Sequence, residues 1–519
     1  MRPIGPSRAF AALLLSAFVV VPPVEGQNRA PAPDLKGLDE TVAALMTEFH
    51  VPGLGVGIIK DGQVVLAKGY GFRDVEAKAP VTPRTLFAIG SNSKSFTAVL
   101  MAMLVDEKKL DWDKPVLTWL PDLQLYDPYA TQKITPRDLV SHVSGLPRHD
   151  ALWYGRSFTR EQLYQRLKYL EPSTSFRNTW QYQNLMFMTA GVLIERITGK
   201  TWEDQVRTRI FTPLGMTRAN ASTNDLPGSD DFSWAYDYRG GQVVKIPYRN
   251  IDPVGPAGSI NASVEDMLKY VQFRMSFGMA GGKQLVSAAQ DSMMQTPRSV
   301  VPGGWTFDNT TEIGPDTYGL GLAITSYRGS RMIIHGGGID GFISQMAWLP
   351  NEKIGIVVLS NTSNSGGNGN PVPNALTFAI ADRMLGLPKI DWMGRAKADI
   401  ARGDSIQKAR RAQDLKDRVA GTKPSHPLEQ YAGRFEHPGY GVIEVRCGTT
   451  ALEVILDTHQ APLQHVHYDS FEVPPDTPNA GVLSNRRFTF GTDAKGAINT
   501  VSVKLEPGVA AIEFTRVKQ

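Results

Sequence analysis

The sequence predicts an α+β protein, one sheet flanked by a helical region, followed by a small all-β, barrel-like unit. Three observations predict it. Strand-like runs lie near both ends of the first two-thirds of the chain, with helical periodicities between them, which is not a βαβ alternation. Beyond Pro427 short alternating segments recur with turn residues between them. The chain has 519 residues, 42% of them hydrophobic, enough for one large domain and a smaller one.

The elements follow in order. Arg2 and Arg8 precede an apolar run from Ala9 to Val21, stopped by Pro22 and Pro23. The run is too short to span a bilayer, so residues 1–26 read as a secretory signal peptide cleaved near Gly26, with Gln27–Pro33 as a spacer. Leu38–Phe49 reads as a helix. Val51–Ala67 reads as a hairpin turning at Asp61-Gly62. Phe96, Val99, Leu100, Met103 and Leu104 form one apolar helical stripe. Ile134–Ser144, Asn184–Thr198 and Ser263–Phe277 give further helices, the last with Ser263 as its N-cap. Strands are expected at Tyr318–Thr325, Arg331–Ile334, Ile343–Trp348 and Lys353–Ser360, then a helix at Pro373–Leu385. This main domain spans residues 34–386. Residues 387–426 are rich in charge and read as a solvated, partly helical linker. About eight strands are expected in residues 427–519, from Gly433–Glu436 to Ala511–Val517, as a small barrel or sandwich.

Composition narrows the function. Lys plus Arg is 55 against 51 Asp plus Glu, a balance that gives no electrostatic case for nucleic acid or an anionic membrane. The single cysteine, Cys447, excludes an internal disulfide and any Cys-rich metal site, and its alternating strand makes it a packing residue. No second stretch is apolar enough for membrane insertion. Removal of the leader would leave an exported chain stabilised by its core.

Ser91-Asn92-Ser93-Lys94 opens the Phe96 helix. Residues three apart share a helix face, so the Ser91 hydroxyl and the Lys94 amine can meet. A lysine with a lowered pKa can take the serine proton, and a helix start aims N–H groups at developing negative charge. Ser-x-x-Lys alone is common, and a capping serine with a solvated lysine is the plain alternative. Tyr182-Gln183-Asn184 opens another helix: a tyrosine here can share proton transfer, ionised or as a relay, while Asn184 can hold Lys94 and orient a substrate amide. A buried tyrosine with an asparagine cap explains the tripeptide equally well in isolation. His335-Gly336-Gly337-Gly338 ends a strand, and glycine lets backbone approach a ligand. The N–H groups of Ser91 and Gly338 are the expected oxyanion hole.

Ser-x-x-Lys, Tyr-x-Asn and His-x-Gly in this order resemble the serine β-lactamase and penicillin-binding-protein superfamily. More closely, the chain resembles the class C β-lactamase-related serine hydrolases, with their D-aminopeptidase, D-alanyl-D-alanine carboxypeptidase and esterase relatives. Val51-Pro52-Gly53, Phe87-Ala88-Ile89-Gly90, the stretch Ile134–Pro147, Pro256-Ala257-Gly258-Ser259 and Tyr318-Gly319-Leu320-Gly321 fit as well. The resemblance spans Leu38 to Leu385. It implies a β-lactamase/transpeptidase-like antiparallel sheet flanked by helices plus a helical lobe, with the site between them. It also implies an acyl-enzyme on Ser91, protons handled by Lys94 and Tyr182, and substrate contacts from Asn184, His335 and Gly337. His335 replaces the lysine that most β-lactamases use for the substrate carboxylate, and a neutral histidine gives a weaker, pH-dependent anion contact. That favours peptidase or esterase chemistry. The C-terminal unit resembles the lipocalin-like β-domains of some relatives; it would cover the cleft or build subunit contacts.

Competing motifs fail on context. Gly53-Leu54-Gly55-Val56-Gly57 leads into strand, not the helix that a dinucleotide loop needs. No Gly-x-Ser-x-Gly is present. His465 and His467 share a strand face without acidic or thiol partners in a metal pattern. His142 and Ser144 are expected to brace the site's loop. The sequence therefore points to a secreted or periplasmic serine hydrolase without cofactor or metal, acting on small D-amino-acid-containing peptides. An esterase or weak β-lactamase on the same site, and a non-catalytic binder of cell-wall fragments, are the alternatives. Expected partners are a small peptide, ester or β-lactam substrate, with no nucleic acid, no stable membrane insertion, and homo-oligomerisation left open.

Overall fold

A computed structural model describes residues 35–303, 310–365, 369–449, 451–475 and 477–518. The leader at residues 1–26 and the Gln27–Pro33 spacer lie outside the described residues. A nine-stranded antiparallel sheet organises the main domain. Its long strands are β1 (Gly53–Lys60), β2 (Gln63–Asp74), β5 (Ala323–Tyr327), β6 (Ser330–Ile339), β7 (Phe342–Leu349) and β8 (Ile354–Ser360); β3 (Ala235–Arg239) and β4 (Gln242–Ile246) form a separate hairpin. Across the sheet the order is Ser299–Val300, Thr317–Tyr318, β5, β6, β7, β8, β1, β2 and Ala79–Pro80. The first hairpin thus pairs with the last long strand, Val56 opposite Val358. N-terminal and C-terminal segments close one sheet, with the helical region inserted between them.

Alternation along the strands builds two cores. Ile354, Ile356 and Val358 face a layer made by α1 (Leu38–Glu48) and α5 (Val372–Met384). Val357 and Leu359 face the opposite layer of α2 (Ser93–Asp106), α3 (Asn184–Thr198) and α4 (Val264–Met275). Gly55 and Gly57 sit in β1, where a Cβ would come within 3 Å of Val264 and Leu268, so the glycine run serves helix packing. Helix α2 is buried on all sides from Ser93 to Leu104, not along one stripe, because it lies between the sheet and the helical lobe.

Three expected elements differ. Ile134–Ser144 holds only the one-turn helix Pro136–Leu139, capped by Thr135 and ended at Val140, after which His142 and Gly145 take positive φ. The expected strand Tyr318–Thr325 is split by a turn at Gly319–Leu322 into Thr317–Tyr318 and β5. The histidine–glycine run lies within β6 and does not end it. The charged segment contains one long helix, α6 (Trp392–Lys416), of which Trp392 and Ala396 are buried.

The C-terminal unit is a closed eight-stranded antiparallel barrel: β9 (Gly433–His437), β10 (Gly441–Cys447), β11 (Leu452–Leu456), β12 (His459–His467), β13 (Ser470–Glu472), β14 (Arg487–Thr492), β15 (Ile498–Val503) and β16 (Ile512–Arg516). Closure removes the free sheet edges. The barrel grips the segment after Pro147. Glu506 accepts from the His149 backbone N–H at 2.6 Å, and the His149 ring meets the Tyr440 hydroxyl at 2.6 Å. Asp457 accepts from the Ser157 N–H and hydroxyl at 2.7 Å. Cys447 is a free thiol, part-buried against the barrel core.

Candidate active site

Ser91 stands in a single 3₁₀ turn, Gly90–Asn92, that runs straight into α2. Gly90 makes the turn possible: its φ is +51°, and a Cβ there would lie 2.7 Å from the Gly338 nitrogen. Gly337 packs from the other side, where a Cβ would fall 1.9 Å from the Ile89 carbonyl oxygen. Ser344 fastens the two together. It accepts from the Asn92 side-chain amide at 2.8 Å and donates to the Ile89 carbonyl at 2.7 Å. Glycines in β6 thereby let the serine turn rest on the strand, with Gly338 exposed beside it.

Lys94 is fully buried one helical turn on. Its Nζ lies 3.0 Å from Ser91 Oγ, 2.8 Å from Asn184 Oδ1 and 2.8 Å from the Ala257 carbonyl oxygen. Burial, reinforced by the Arg148 guanidinium and opposed by Asp150, holds the amine well below its ordinary pKa. A neutral amine has two N–H donors and one lone pair. The Ala257 carbonyl can only accept, and Asn184 is fixed in the same sense because its Nδ2 donates to Asp150 Oδ1 at 3.1 Å. Both N–H bonds are thus committed, and the lone pair is left for the Ser91 hydroxyl. This is the arrangement a serine needs to lose its proton.

Tyr182 hydrogen-bonds Ser91, and its ring centre lies 4.6 Å from Lys94 Nζ and 4.9 Å from the Arg148 guanidinium carbon. Burial raises the phenol, partly countered by Ser91 and Arg148, so Tyr182 stays protonated and can donate a hydrogen bond. His142 braces it from below, with its ring 4.4 Å from the Tyr182 ring and its Nδ1 accepting from the Gln183 N–H at 3.0 Å.

His335 is fully buried near Lys94, with Nδ1 against the Gly336 carbonyl at 2.6 Å and Nε2 against the Tyr318 hydroxyl at 3.0 Å. A carbonyl only accepts, so Nδ1 carries the proton and Nε2 receives from Tyr318. Burial and the nearby Lys94 push its pKa down to about 3. A neutral, enclosed ring supplies no pH-dependent anion contact. The cation at the mouth of the site is instead Arg148, half-exposed and paired with Asp150 at 2.5 Å. Gly337, likewise expected to touch substrate, is buried against Ile89. The sequence reading missed Arg148, Asp150 and Ser344. Arg148 follows directly on the Ile134–Pro147 stretch that carried part of the resemblance, which was its only signal.

Among the described residues, no group of three or more His, Cys, Asp or Glu is placed to hold a metal, and His465 and His467 are separated by a bulge in β12. No helix of the described residues is long and apolar enough to cross a membrane.

Comparison with known proteins places this geometry. The C-terminal residues 417–516 match a domain of unknown function, DUF3471. An unguisins hydrolase of Aspergillus campestris is 30% identical over 418 residues, covering 77% of this chain and 76% of that one. A D-aminopeptidase of Cereibacter sphaeroides is also 30% identical, over 63% of this chain and 60% of its own. Among solved structures, the octameric penicillin-binding protein homologue from Pyrococcus abyssi superposes with a TM-score of 0.59 at 24% identity, over 93% of this chain and all of that one. A D-stereospecific amidohydrolase from Streptomyces sp. gives 0.53 at 24% identity, over 64% and 95%. At those identities the structures speak for the fold. The Beta-lactamase family model matches residues 38–376, which hold the whole Ser91 site, and the chain belongs to that family of serine hydrolases.

Proposed function

We propose that the protein is an exported hydrolase that cleaves amide bonds in D-amino-acid-containing peptides through an acyl-enzyme on Ser91. The observation that carries the mechanism is the buried Lys94 Nζ, 3.0 Å from Ser91 Oγ and held there by the Asn184 and Ala257 oxygens; a neutral amine donating to those two oxygens leaves its lone pair for the Ser91 hydroxyl. In acylation Ser91 Oγ attacks the carbonyl carbon as Lys94 takes its proton. The oxyanion forms between the N–H groups of Ser91 and Gly338, fixed dipoles that need no reorganisation. The protonated Tyr182 gives its proton to the leaving nitrogen and is replenished by the proton that Lys94 took from Ser91. Water then attacks the ester carbonyl by the same route in reverse, returning the proton to Ser91. Asn184 fixes Lys94 through its Oδ1, and in this reading its remaining N–H orients the substrate amide.

The D-amino-acid preference draws support from the similarity to a D-aminopeptidase. Export rests on the apolar N-terminal segment followed by small residues. A turnover screen of D- and L-aminoacyl anilides, short aryl esters and a chromogenic cephalosporin, run on wild type and Ser91→Ala, tests the reading. D-anilide turnover that vanishes in Ser91→Ala is the expected result. Turnover confined to esters or the cephalosporin overturns the substrate assignment, and full activity in Ser91→Ala overturns the mechanism.

A further inference from the structure

Asn184 can meet Lys94 in two ways that differ by a half-turn of its amide. As it stands, its Oδ1 accepts from Lys94 Nζ at 2.8 Å. Turned over, it would present Nδ2, and a neutral Lys94 would have to accept that N–H with its lone pair. With the Ala257 carbonyl as its other partner, at 2.8 Å, the amine would then offer Ser91 only an N–H. That polarity cannot take the serine proton. The side chain that fixes the amide is Asp150. Its Oδ1 lies 3.1 Å from Asn184 Nδ2, and a carboxylate only accepts, so nitrogen must face Asp150 and oxygen must face Lys94.

Asp150 is itself held from two directions. Within its own turn, Trp153 Nε1 donates to Oδ1 at 2.9 Å and Arg148 Nε donates to Oδ2 at 2.5 Å. The second hold is on the preceding residue. His149 has φ +48°, a left-handed conformation that a residue with a side chain keeps only where its surroundings fix it. Three contacts do so: Glu506 accepts its N–H, the Tyr440 hydroxyl donates to Nδ1, and Nε2 donates to the Glu171 carbonyl at 2.9 Å. The barrel keeps its hold past the turn, where Arg156 Nη2 donates to the Tyr440 carbonyl at 2.7 Å and His459 Nε2 to the Tyr154 carbonyl at 2.8 Å. It is a solid support. Tyr431, Phe435, Phe471 and Phe490 are buried in its core, with neighbouring ring centres 5.0 to 5.9 Å apart.

We propose that Asp150 is a positioning residue that locks the Asn184 amide with its oxygen toward Lys94, and that the barrel, through Glu506, Tyr440 and His149, holds Asp150 in place. The proposal rests on Lys94 being the base that activates Ser91. Asp150 acts through Asn184, and the barrel acts through Asp150, so the C-terminal unit contributes to the proton transfer itself.

The test is the rate at which an uncharged aryl phosphonate ester labels Ser91 in the full-length chain, taken on the plateau above the acid limb of the pH profile. The probe has no amide for Asn184 to orient, and the plateau sets aside the effect of the Asp150 charge on the Lys94 pKa. Asp150→Ala is expected to slow labelling by about thirtyfold or more, the scale on which misplacing a catalytic group acts. Asp150→Asn keeps an oxygen for Asn184 Nδ2 and is expected to stay within about threefold of wild type. Glu506→Leu is expected to slow labelling by about three- to tenfold. In an Asn184→Ala background no amide is left to lock, and neither Asp150→Ala nor Glu506→Leu is expected to add more than about twofold. Wild-type labelling in Asp150→Ala, or a loss that persists in full in the Asn184→Ala background, overturns the lock. Wild-type labelling in Glu506→Leu overturns the barrel's part in it. Where Asp150→Ala loses the circular dichroism of wild type, Glu506→Leu in the two backgrounds decides. Ser91 labelling unchanged in Lys94→Met is a separate failure, of the base assignment on which the lock rests.

Discussion

Arg148→Gln should move the acid limb of the pH profile upward. Lys94 must be neutral to receive the Ser91 proton, so activity is present above its pKa and lost as pH falls through it. Arg148 is one of the groups that hold that pKa down, and removing its charge lets the ammonium persist to higher pH. The magnitude follows from geometry. Nζ of Lys94 and the guanidinium carbon lie 4.6 and 4.9 Å from the same Tyr182 ring centre, so the two charges stand within about 10 Å of each other. Coulomb's law gives about 1.7 kcal/mol at an effective dielectric constant of 20 and about 0.4 kcal/mol in water. The Arg148 side chain is 52% exposed, which places the effect between those limits, at about half a pH unit to one unit. The assay is kcat/KM for an uncharged aryl ester, where the acid limb reports the free enzyme's base. Asp150→Asn removes a charge of opposite sign and should move the limb the other way. A limb that stays fixed, or moves downward in Arg148→Gln, would refute the assignment of Lys94 as base.

Other outcomes follow from single contacts. Gly337→Ala forces a Cβ against the Ile89 carbonyl at 1.9 Å and should lower kcat by about a hundredfold or more by displacing the serine turn, read by steady-state kinetics beside circular dichroism. Glu506→Leu removes the barrel's grip on the His149 N–H and should lower kcat/KM by about three- to tenfold with the barrel still folded. Asp291→Leu strands Arg274, fully buried and paired at 2.7 Å, and should destabilise the main domain by about 3–5 kcal/mol in a denaturant melt.

Much of this architecture is legible in the sequence because it rests on local signals. Helix α3 keeps its sequence bounds: Gln183 caps its start through the Leu185 N–H at 2.7 Å, and Gly199 ends it at φ +68°. The barrel strands show because their alternation pairs inward residues such as Leu452, Val454 and Leu456 with outward ones. The Ser91–Lys94 contact follows from helical spacing alone. Elements that depend on distant neighbours are less legible. The 134–144 segment carries helical apolar spacing, yet only Pro136–Leu139 is helical and a turn follows at 140–142. His335 is marked by its motif position, but its enclosure by the Tyr318 hydroxyl is set by a distant neighbour, and strand parity cannot show it because Ile333 and Ile334 are both buried. Arg148 and Asp150 flank His149, which the barrel clasps, so contacts distant in sequence help place them beside Tyr182 and Asn184.

In the proposed mechanism the buried Lys94 amine activates Ser91 for acyl transfer. Intact-mass analysis after exposure to an aryl phosphonate ester, followed by peptide mapping, tests it most directly. One covalent adduct per chain is expected, on Ser91, forming faster as pH rises through the Lys94 pKa and at least about a hundredfold more slowly in Lys94→Met. An adduct elsewhere, or equal labelling of Ser91 in Lys94→Met, would contradict it.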